Sequence, residues 1–239
     1  MPLGASKAGL FGAGASGDLT LEMLVIGGGG NGAGASSYQW NGSGGAGGLV
    51  YSAEYPVAMG TEYALTVGVA EADSVFDSGG ITLTLTAKGG GRAGAGGNGA
   101  GSAGGSGGGG SGRDAGVGRE YSGFAAWGTD SSNNASDGSD GGWFASGGGA
   151  PGESGHGTAQ KGGGANAPTS NGAGVAGMAN TGGGGSGGRA NGTGGDGGTG
   201  IILIRYAGSS QASGGTESSA DGYSYHAYTS TGSSTFTTD

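Results

Sequence analysis

The chain has 239 residues, of which 71 are glycine and none is cysteine, with a formal charge of −9 and an isoelectric point near 4.4. The absence of cysteine excludes a disulfide framework and a thiolate zinc site, and eight Lys and Arg in all argue against nucleic acid, whose affinity rests on basic side chains. No apolar run approaches the roughly 18–20 residues that cross a bilayer, and the first residues lack the apolar core of a secretion signal, so synthesis in a cytoplasm without membrane insertion is expected.

Residues 1–17, with Leu3, Leu10 and Phe11 as their large apolar side chains, read as a flexible or attachment arm. From Leu19 the pattern becomes that of β-strands: 19–26 (LTLEMLVI), 49–55, 62–69 and 81–87. In the last of these Ile81, Leu83 and Leu85 alternate with Thr82, Thr84 and Thr86, which predicts one buried and one open face. The run 200–206 (GIILIRY) is apolar on both faces through Ile204 and is expected at the centre of its sheet.

Glycine dominates residues 27–48 and 88–200. Over one hundred residues without helix or strand signals are too many for a loop in a compact domain, so this part is either disordered or regular in its own way. Collagen fails as the regular structure, because the glycines cluster and do not recur at every third position. What remains is an extended helix of three residues per turn, whose outward-pointing amides and carbonyls need partners on neighbouring helices. Glycine is the residue that lets such backbones approach on every face. A rod of about nine residues spans roughly 28 Å, and the spacing of the glycine runs suggests about eight to ten of them.

Residues 24–32 (LVIGGGGNG) have the outline of a dinucleotide fingerprint, but the following residues 33–48 are Gly, Ser and Asn where a helix must start to bind a pyrophosphate. At this glycine content chance alone gives on the order of six G-x-G-x-x-G matches, so no cofactor is expected. Asp137 and Asp140 read as an exposed acidic turn rather than a calcium site, and no metal site is expected. His156 and His226 are isolated from any nucleophile motif, which leaves no catalytic candidate and no expectation of an enzyme.

The aromatic residues Tyr38, Trp40, Tyr121, Phe124, Trp127, Trp143 and Phe144 all fall between glycine runs. They either cap the rod bundle and plug it against the strands, or lie on connecting loops as anchors for a receptor or partner.

The succession LEMLVIGGGGNGAG, GGAGGLVY, a strand containing TVG, a long glycine-rich middle and a closing GGDGGTGIILIRY resembles the glycine-rich domain of bacteriophage tail-fibre and tail-tip proteins over residues 18–206. The resemblance implies a mainly β protein with almost no α-helix, in which a polyglycine II bundle is attached to a small antiparallel β-sandwich. It also implies that loops between the rods contact a host receptor. Such domains commonly open with a strand of the type G-x-x-T-F-T. Here that pattern stands at the other end, in TGSSTFTTD, after an expected linker over 207–222 and at the end of a C-terminal strand arm over 223–239. A sheet lacking one strand invites strand addition, so Thr235, Phe236, Thr237 and Thr238 are expected beside Leu19–Ile26, within one chain or donated to another copy. The function this suggests is a virion structural protein, a tail-fibre or tail-tip adhesin. Its partners would be other copies, virion proteins or a host receptor, and its place of action the virion outside the cell. A capsid-decoration or filament subunit built by strand donation is the alternative, and an ice-binding or matrix protein the third reading.

Overall fold

The computed structural model describes residues 18–34, 40–80, 83–94, 114–130, 141–153 and 155–239. Among these, twelve strands account for the regular structure: β1 (Leu19–Ile26), β2 (Leu49–Val57), β3 (Glu62–Val67), β4 (Ser74–Asp77), β5 (Leu85–Ala87), β6 (Arg119–Glu120), β7 (Trp143–Phe144), β8 (Ile201–Ala207), β9 (Ala212–Ser213), β10 (Thr216–Ala220), β11 (Tyr223–Tyr228) and β12 (Gly232–Thr238). The helical content of the described residues is one kinked 3-10 segment, Ser122–Trp127. No helix among them is long and apolar enough to cross a membrane.

Two antiparallel five-stranded sheets have the orders β10-β11-β8-β1-β2 and β5-β4-β3-β12-β9, and β6 pairs with β7 alone. Alternation decides which residues meet. Leu21, Met23 and Val25 of β1 and Ile202, Ile204 and Tyr206 of β8 join Tyr63, Leu65, Val67, Phe76 and Phe236 of the other sheet in one apolar cluster. The opposite faces of β1 and β8, Leu24, Ile26, Ile201 and Leu203, form a second cluster with Phe124 and Phe144. β8 is thus covered on both sides, as its unbroken apolar run predicts.

The strand expected over 81–87 is shorter. Leu85 pairs with Phe76 and is buried, but Leu83 is 76% exposed, because the four-residue β4 ends there and offers no further partner. Residues 81 and 82 lie outside those described. The larger correction concerns the C-terminus. β12 pairs with β3 and β9 of its own chain, not with β1. β1 has no free edge to offer, since β2 and β8 flank it on both sides. Residues 207–222 are likewise no mere linker; they contain β9 and β10 and add an edge strand to each large sheet.

The glycine-rich segments continue directly from the strands: 27–34 from β1, 40–48 into β2, 88–94 from β5, 145–150 from β7 and 192–200 into β8. They are extended and bonded to one another through the backbone with a period of three. The amides of Gly27, Gly30 and Ala33 donate to the carbonyls of Gly48, Gly45 and Gly42. Those of Gly29 and Gly32 donate to Gly198 and Gly195. Segment 182–188 is buried throughout and exchanges backbone bonds with 27–34, 40–48, 145–150, 162–167, 172–178 and 193–199. A Cβ built on Gly29 would overlap the carbonyl oxygen of Gly183. Packing this close is possible only because a side chain is missing. Where β5 passes into its rod, the Asp73 carboxylate accepts from the Lys88 ammonium at 2.6 Å and from the Gly89 amide, contacts that hold its carboxyl below its usual range.

Candidate binding surface at the distal turns

Chain direction gives the rod assembly two ends. One carries the sheets. Turn 178–181 lies at this end, since Ala145, directly after β7, donates to the carbonyl of Thr181. The turns at 151–156, 168–172 and 189–192 lie at the other end, together with Trp40, where the return rod toward β2 begins.

Two other distal stretches, Trp40 and the 168–172 turn, meet Arg189, the residue at which the central rod ends. Its backbone forms antiparallel bridges with both Trp40 and Gly172, and its Nη1 donates to the carbonyl of Thr169 at 3.1 Å. Below it, the buried Asn41 amide donates to the carbonyl of Gly188 at 2.9 Å. Ala190 follows with φ of 53°, a left-handed conformation that costs a residue with a Cβ and persists only where the surroundings impose it. On the neighbouring turn Pro151 bridges His156. Two ring nitrogens at this end, Trp40 Nε1 and His156 Nδ1, are shielded from solvent and have no hydrogen-bond partner. Thr169, Asn171 and Asn191 are exposed, as is Glu153.

The aromatic residues expected on loops divide between the two ends. Tyr38 lies outside the described residues. Trp40 is on the distal face. Tyr121, Phe124, Trp127, Trp143 and Phe144 are at the sheet end, where Tyr121, Phe124, Trp127 and Phe144 pack on the outer face of β1, β8 and β11. Phe124 and Phe144 are completely buried there and cannot serve as contact anchors. The ring of Tyr121 packs tilted against Tyr51 at 4.9 Å, and that of Trp127 tilted against Tyr225 at 5.2 Å. Arg205 ties this cover down: it pairs with Glu22 at 2.7 Å, donates to the carbonyl of Gly123 at 3.0 Å and lies over the rings of Tyr223 and Phe124. These residues plug and cover the sheet. Thr235, Thr237 and Thr238 sit in β12, with Phe236 fully buried among Tyr63, Phe76 and His226. Thr238 caps the β2–β3 turn through Oγ1, which donates to the carbonyl of Ala58 at 2.7 Å.

Sequence reasoning missed Arg189. Its signal was an isolated long cationic side chain that ends a glycine run and is followed by the turn pair Asn191-Gly192. The segment after Ile26 continues as an extended rod and not as a helix. Among the described residues no group of three or more His, Asp or Glu side chains is placed to hold a metal ion.

An extended glycine scaffold built onto antiparallel sheets defines a class of glycine-rich β protein. The family described as "Glycine-rich domain" matches residues 10–207, and the chain belongs to that family. No curated protein and no solved structure matches the chain.

Proposed function

We propose that the rods are polyglycine II helices packed as a lattice against a β-sandwich formed by the two large sheets. In this reading the chain is a structural and binding protein of a virus particle, a bacteriophage tail-fibre or tail-tip adhesin whose distal turns meet a receptor on the host cell. It acts on the virion, outside the cell that made it, without catalysis.

The observation that carries the reading is the meeting of the 168–172 turn and of Trp40 with Arg189 at the end of the assembly away from the sheets. Rods that run from the sheet end and turn at a common level present those turns together, which is how a rigid scaffold displays a contact surface. The three-residue period of the backbone bonds supports the helix type, and the resemblance in strand and glycine order supports the virion.

The test is adhesion of the labelled full chain to a panel of bacterial cells by flow cytometry. Trp40→Ala should lower adhesion several-fold, whereas Trp143→Ala, at the sheet end, should leave it at the wild-type level. Equal adhesion of Trp40→Ala and wild type, or a loss confined to Trp143→Ala, would overturn the assignment.

A further inference from the structure

We propose that the Arg189 turn recognises a carboxylate- or phosphate-bearing saccharide; the proposal rests on reading the distal face as a contact surface and names the chemistry of its ligand. Arg189 carries a planar fork of five N–H donors. Among the described residues it makes one hydrogen bond, to the carbonyl of Thr169. The ion pairs among the described residues are Lys88–Asp73 and Glu22–Arg205, so no carboxylate there neutralises Arg189. Glu153, the carboxylate on the neighbouring turn, is exposed and outside ion-pair distance. A guanidinium with no carboxylate partner among the described residues, at the end of a rigid rod, suits a carboxylate or phosphate whose two oxygens accept two parallel bonds.

The surroundings decide between a saccharide and a protein. Protein interfaces are anchored by exposed apolar or aromatic side chains at their centre. The large hydrophobic residues most exposed among the described ones are Tyr51, Val69, Leu83, Val117 and Val175, and none lies on a distal turn. What the turns offer around Arg189 is hydroxyl and amide groups, from Thr169, Asn171 and Asn191. These match a ligand made of hydroxyls. The bridges to Trp40 and Gly172 hold the Arg189 backbone in place, so little ordering is left for binding to impose.

The experiment presents the labelled full chain to an array of sialylated, uronic-acid and phosphorylated saccharides, each beside its neutral counterpart. Retention is expected on acidic members, with Arg189→Gln weaker by at least about tenfold and Arg189→Lys in between, as loss of a charge-assisted fork implies. Free glucuronate, and not glucose, should displace the wild-type chain, which reads the same contact even if a variant folds poorly. Retention on neutral members alone, equal retention of Arg189→Gln, or no retention on any member overturns the proposal. A wild-type chain that adheres to cells but ignores the acidic members sinks this ligand and spares the adhesin; one that binds them but adheres to no cell does the reverse.

Discussion

Gly185 sits in the middle of the central rod, where an added Cβ would fall on the carbonyl oxygen of Gly195. The obstacle is backbone bonded on several sides, so it cannot step aside as a side-chain tip would. Gly185→Ala is expected to cost about 1–3 kcal/mol or more. Gly116, with no heavy atom within 4 Å of a built Cβ, is the matched control, and Gly116→Ala should stay within about 0.5 kcal/mol. Urea unfolding of the two variants checks the contrast, and equal midpoints would contradict the close-packed rods. At this scale the sequence was only partly legible. It shows that glycine is needed, but which glycines face backbone and which face water depends on neighbours many residues away. The same limit applies to Arg189. Its charge and its turn are visible in sequence, whereas its meeting with Trp40 and Gly172 is a product of three separate rods ending together.

The strands were the most legible elements. β1 lies where its apolar run puts it, and β8 is central because both its faces are apolar. β4 and β10 escaped notice for opposite reasons: Ser74–Asp77 is short, and Thr216–Ala220 is fully exposed along its length, so neither carries a two-residue hydrophobic rhythm. The position of β12 could not be read from its own residues, because a sheet edge is defined by what already occupies the other strands. β12 takes the free side of β3 and inserts Phe236 between the sheets. Phe236→Ala should therefore cost about 3–5 kcal/mol, as for other large side chains removed from a filled core. Removal of residues 223–239 takes β11 and β12 together and bares the edges of β8 and β3. The shortened chain is expected to aggregate, as exposed edges do, and light scattering showing a stable monomer would refute the two-sheet role of this segment.

Across the whole molecule, rods and sheets are one covalent and hydrogen-bonded body. β1, β5 and β8 pass into rods without an intervening turn, and 182–188 is bonded on all sides by segments that belong to several strands. The rods should not melt before the sheets. Amide exchange followed by NMR is expected to show Gly184 and Gly187 as slow as Leu24 and Leu203, and rapid exchange of the glycines alone would separate the two parts. That the glycine-rich middle is neither an ordinary loop nor collagen was legible by elimination, since length excluded the first and clustering the second, whereas the choice between disorder and a regular structure stayed open. Its hydrogen-bond map was not legible, because sequence gives no register to segments that are nearly all one residue. The family range ends at Ala207, yet β9, β10, β11 and β12 lie beyond it and complete both large sheets. Because the rod that follows the Arg189 turn runs straight into β8, tension applied at that turn would travel along the covalent backbone to the middle of a five-stranded sheet. Neighbouring rods would share the load in shear through their three-residue ladders, so the tip is joined to its base by a braced strut.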